Sequence, residues 1–176
     1  MRRSRGMAWL IGLYVLLIAV WAGLLRLLPE GTAYHAAVII VGVGVAAAYL
    51  VVLVWHVRKA LGNRASLLVQ LGSTVAEAAL LLAAFASIYQ RLGILDNTQP
   101  GTPPVYDFWR SLYLSFITFT TVGYGDFYPT GAGRALAALE GLMGYLVLGI
   151  LASTAASLVS PHSPEGPYDD GKTGGP

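Results

Sequence analysis

Residues 107–119, Asp107-Phe108-Trp109-Arg110-Ser111-Leu112-Tyr113-Leu114-Ser115-Phe116-Ile117-Thr118-Phe119, are apolar enough for a membrane but too few to cross one. Thirteen residues of helix reach about 20 Å, whereas the hydrocarbon core of a bilayer is about 30 Å thick. The segment has to enter and turn back. It runs directly into Thr120-Thr121-Val122-Gly123-Tyr124-Gly125-Asp126, a loop with glycines at alternate positions. Non-helical backbone at membrane depth is tolerated only where protein encloses it or where it lines a water-filled path. This pair of features predicts an all-α membrane protein whose loop is enclosed by an assembly.

The rest of the chain agrees. Of its 176 residues, 56% are hydrophobic and 11% charged, against about a quarter charged in a soluble domain. Four runs are long enough to span: about Met7–Leu28, Ala36–Val57, Leu67–Tyr89 and Gly133–Val159. The first follows Arg2, Arg3 and Arg5 and is longer than the apolar core of a signal peptide, so it reads as a retained helix. Arg58, Lys59 and Arg64 read as a short basic loop, Gly93 to Pro104 as a Pro/Gly-rich loop, and Ser160–Pro176 as a disordered tail. The expected organisation is two peripheral helices in 1–65, a pore module in 66–159 and a cytoplasmic tail in 160–176. The basic residues at the N-terminus and in the Arg58–Arg64 loop put both on the cytoplasmic side of a plasma membrane, with the tail. The Thr120–Asp126 loop then lies outside.

Glycines at 123 and 125 open backbone conformations closed to other residues. Successive carbonyls can then face one side, and several such loops around an axis replace the water shell of a dehydrated cation. Thr121 would add a hydroxyl ring at the inner end, while Val122 and Tyr124 would pack away from the axis. Asp107 is positioned to cap the short helix. The carbonyl end of that helix would favour a cation at the centre.

The loop Thr120–Asp126 resembles the selectivity filter of tetrameric potassium channels. The flanks resemble that pore module too: Tyr106-Asp107-Phe108-Trp109 and Ser111-Leu112-Tyr113 the pore helix, Phe127-Tyr128-Pro129 the filter exit, and Gly133-Arg134 the start of the inner helix. With two plain helices ahead of the pore, the chain is similar to short four-helix bacterial potassium channels. The resemblance implies a homotetramer in the lipid bilayer, with K⁺ bound at Thr121, Val122, Gly123 and Tyr124, and Gly125 completing the filter. It implies a gating hinge at Gly144. Close helix packing is the other reading of that glycine, and Gly141 and Gly149 are nearby. Some channels of the family place a Glu in the pore helix four residues before the filter threonine; that position is Ile117 here.

Two carboxylates lie within spans, Glu77 and Glu140. Such groups are costly there and usually face the protein interior. Each reads as a hydrogen-bonded join between helices. Glu140 has a second reading, filter support through Ser115 or Thr118, in which its protonation would alter filter stability. Asp126 at the outer mouth would concentrate cations or anchor the filter, with Trp109 as the expected partner. Between Arg26 and Arg58 there is no Lys or Arg, so a strong voltage sensor is not expected. The chain has no cysteine and a net charge of only +2, which removes disulfide and thiolate chemistry and gives no reason to expect nucleic acid. No catalytic constellation or cofactor site is visible, so an enzyme is not expected. The rivals to a potassium pore are a weakly selective cation pore and the membrane subunit of an ion-coupled transporter.

Overall fold

The computed structural model describes residues 23, 31–62, 67–131 and 133–159. All but Gly23 of the expected first span lies outside the described residues, as does the tail from Ser160. The described chain is mostly helical: α1 (Thr32–Gly62), α2 (Leu67–Leu92), α3 (Phe108–Phe119) and α4 (Gly133–Val159). Two three-residue strands interrupt them, β1 (Ile94–Asp96) and β2 (Phe127–Pro129). Three of the helices are long and apolar enough to cross a membrane, at Ala33–Trp55, Leu71–Leu92 and Gly133–Ala156. The chain is a multi-pass membrane protein on this evidence.

α1 begins earlier and ends later than the apolar run predicts. It continues through Arg58 and Lys59 to Gly62, so the expected basic loop is in part the last turns of a helix. Arg, Lys, Ala and Leu are good helix formers, and cations are favoured at a helix C-terminus. The polarity that ends a membrane span does not end a helix.

The long helices share one core. Val38, Tyr49 and Leu53 of α1 meet Leu81, Phe85 and Ile88 of α2 and Leu136, Met143 and Val147 of α4. α1 is thus packed against α4 as well as α2. At Gly42 a side chain would stand 3.0 Å from both methyls of Leu136, so the absent side chain sets that approach. The Arg91 guanidinium donates to the Tyr34 hydroxyl at 3.3 Å, joining the end of α2 to the start of α1.

α3 is the short helix, and it stops where its thirteen-residue segment is expected to stop. Asp107 accepts from the Arg110 N–H at 2.9 Å as its N-cap. Leu114, Ile117 and Phe119 sink into the same core, and Ser111 and Ser115 are fully buried beside them.

β1 and β2 pair antiparallel, Ile94 with Pro129, Leu95 with Tyr128 and Asp96 with Phe127. This ladder joins the loop after α2 to the exit of the 120–126 loop. Three residues offer too little alternation for a period-2 signal, and the sequence shows only a Pro/Gly-rich connection there.

Candidate functional site

The 120–126 loop hangs from the carbonyl end of α3. The Thr120 N–H and hydroxyl both reach the Phe116 carbonyl, at 3.0 and 2.7 Å. The Thr121 N–H donates to Thr118 at 3.0 Å and the Gly123 N–H to Ile117 at 3.1 Å. These amides use carbonyls that a helix leaves without internal partners.

Every second residue then takes a left-handed conformation: Thr121 at φ 59°, Gly123 at 52° and Gly125 at 78°. Thr121 is the sole non-glycine residue in that region among the described residues. A threonine there is strained, and the amide bonds on either side hold it. Alternation of this kind gathers successive N–H groups on one side. A trans peptide sets each carbonyl opposite the following N–H, so the Thr121 and Gly123 amides on the helix end turn the Thr120 and Val122 carbonyls away from it. Val122 and Tyr124 remain 51% and 74% exposed on the single chain.

Behind the loop, Glu140 of α4 is fully buried. Its Oε2 accepts from the Tyr89 hydroxyl of α2 at 2.5 Å. Its Oε1 accepts from the Ser115 hydroxyl of α3, which also lies 3.1 Å from the Leu82 carbonyl. One carboxyl group therefore joins three helices two residues away from Ile117, whose carbonyl holds the Gly123 amide. Ile117 itself is core. Glu77 is also buried, 5% exposed, on α2.

Gly144 is pressed against the end of α3. A side chain there would overlap the Phe119 carbonyl oxygen and stand 2.7 Å from the Phe119 carbonyl carbon. Gly141 meets only the Thr118 carbonyl, at 3.6 Å, and Gly149 meets nothing within 4 Å. Gly144 is the position that lets α4 touch the base of the loop.

At the far end of the loop, the Tyr113 hydroxyl lies beside the Asp126 carboxylate. Trp109, expected as its partner, is 72% exposed and lies across a recess of about 420 Å³ shared with Asp96, Arg110, Tyr113, Asp126 and Phe127. Tyr113 is one helical turn nearer the loop than Trp109. Asn97, the residue after β1, supplies a further contact to the carbonyls of Gly125 and Asp126. Tyr89, Tyr113 and Asn97 are the site residues that sequence reasoning missed. Tyr89 and Asn97 lie 51 and 28 residues from their partners, so no local spacing marks them.

Residues 77–160 match the family pattern described as "Ion channel". Two curated relatives, each named "Protein LctB", come from Geobacillus stearothermophilus and Bacillus caldotenax. Each is 49% identical over 41 residues, 23% of this chain and 31% of the relative's own length. No solved structure matches at the same stringency. The stretch that builds the site, from Glu77 on α2 to the end of α4, is thus similar to an ion-channel family.

Proposed function

We propose that the protein is a passive, potassium-selective channel: four copies surround one axis, each lending one Thr121–Gly125 loop. The observation that carries this reading is the alternation of left-handed residues at 121, 123 and 125, hung from the carbonyl end of a helix too short to cross the bilayer. With the Thr121 and Gly123 amides held at the helix end, the carbonyls of Thr121, Val122, Gly123 and Tyr124 would replace the water around K⁺. The Thr121 hydroxyl closes the innermost site. Several weak sites in series let each entering ion help expel another.

A single chain supplies one loop, and a ring requires more. Val122, Tyr124, Phe116 and Tyr145 are large, apolar and 51%, 74%, 55% and 71% exposed. Neighbouring copies would cover them. Asp126, four times repeated, would raise the cation concentration at the mouth. The protein sits in the plasma membrane with both termini cytoplasmic, and intrinsic voltage gating is weak.

Gly123→Ala tests the carbonyl column. Alanine at φ 52° costs roughly 1 kcal/mol or more per copy. The variant is expected to lose its K⁺-over-Na⁺ preference, or to stop conducting, in planar bilayers. An unchanged permeability ratio counts against the filter role.

A further inference from the structure

The outer end of the loop is held from outside the pore module's own helices. The Asn97 side-chain N–H donates to the Gly125 carbonyl at 3.1 Å, and the Asn97 backbone N–H donates to the Asp126 carbonyl at 2.7 Å. Two successive carbonyls are thus turned toward one residue of the outer loop. Asn97 is fixed from both sides. Before it, Asp96 pairs with Phe127 in the β1–β2 ladder. After it, Asp96 Oδ1 accepts from the Thr98 N–H at 2.9 Å and the Thr98 hydroxyl at 2.5 Å, a turn that sets the chain direction. The same bonds hold the Asp96 carboxyl below its ordinary range. Only the amide nitrogen of Asn97 can face a carbonyl, because its oxygen is an acceptor.

We infer that Asn97 is a positioning residue that ends the column of ion-binding carbonyls at Tyr124, by holding the Gly125 carbonyl toward the outer loop. It thereby sets the affinity of the outermost site for cations arriving from outside. This rests on the potassium-pore reading above. The inner sites, formed by Thr121 to Gly123, hang from α3 and owe nothing to Asn97.

The test compares wild type, Asn97→Asp and Asn97→Ala in planar bilayers, with Ba²⁺ added to one side at a time. Asn97→Asp keeps the shape and removes the donor, so it answers even where Asn97→Ala fails to assemble. Loss of one such bond per subunit is expected to shift outer-side block by about three- to tenfold and leave inner-side block unchanged. Outer-side block equal to wild type in the variants overturns the inference. A second readout does not depend on conduction: in glycine-labelled protein, the Gly125 carbonyl carbon resonance is expected to move in Asn97→Asp. An unmoved resonance overturns the clamp, even where wild type selects K⁺. A wild type without K⁺ preference overturns the pore reading and the ion-site role with it, while the resonance still reports the bond.

Discussion

Gly144→Ala is expected to destabilise the assembled protein, although alanine is the better helix former. In an unconstrained helix this change gains about 1 kcal/mol. Here the added methyl meets the carbonyl oxygen of Phe119, with its carbon at 2.7 Å and Cα at 2.9 Å. These are backbone atoms and cannot rotate aside. α4 must move away from the end of α3, at a cost of roughly 1–3 kcal/mol or more for overpacking, and the base of the loop moves with it. Gly141→Ala and Gly149→Ala meet ordinary contact and open space, so each should be neutral or mildly stabilising. Thermal melting of the detergent-solubilised assembly reads the sign. The hinge expectation separates cleanly from the packing one, since a glycine kept only for bending predicts a more stable Gly144→Ala with altered opening. A raised melting temperature for Gly144→Ala would refute the contact account.

Glu140→Ala is expected to be the most damaging change away from the loop, and Glu140→Gln among the mildest. Glu140 accepts from Tyr89 and Ser115 while fully buried. Alanine leaves the buried Tyr89 hydroxyl without its acceptor, costing about 1–3 kcal/mol, leaves Ser115 only the Leu82 carbonyl, and opens a cavity behind the loop. Glutamine keeps the shape. Its carbonyl accepts from Tyr89, and its NH₂ donates to Ser115, whose own proton then serves the Leu82 carbonyl at 3.1 Å. Tyr89→Phe leaves the buried Glu140 Oε2 without its donor and should cost about 1–3 kcal/mol. Assembly yield and K⁺ selectivity are the measurements. Glu140→Gln failing as badly as Glu140→Ala would show that the charge, not the hydrogen bonds, is what the fold uses. Conductance with an unchanged pH dependence in Glu140→Gln would remove any proton-sensing role.

Much of the architecture was legible in the chain because membrane helices announce themselves locally. The N-cap at Asp107, the end of the short helix at Phe119 and the limits of α4 at Gly133 and Val159 all lie where residue types alone put them. The resemblance to a filter rested on seven contiguous residues, a signal that needs no fold to read. What escaped is of another kind. Arg58 and Lys59 mark the end of an apolar run, yet the helix continues beyond them to Gly62, since hydropathy reports the solvent and not the backbone. β1 and β2 are three residues each and pair across the whole loop, so neither carries a period of its own. Glu140 and Ser115 were paired as a possibility from their polarity in apolar surroundings. Tyr89 was not, because a tyrosine near the end of an apolar span is ordinary until its hydroxyl is seen to face a carboxylate. Tyr113 was hidden behind Trp109 for a simpler reason: both are aromatic donors on one helix, and the structure sets both around the recess that holds Asp126.

The central claim is that the Thr121–Gly125 loop selects potassium, and a reversal potential tests it most directly. The protein is reconstituted in planar bilayers or giant liposomes with K⁺ on one side and an equal concentration of Na⁺ on the other. The account predicts a current that reverses far from zero, toward the K⁺ equilibrium potential, with unitary steps in single-channel records. A reversal potential near zero, with both cations carrying current, would contradict it.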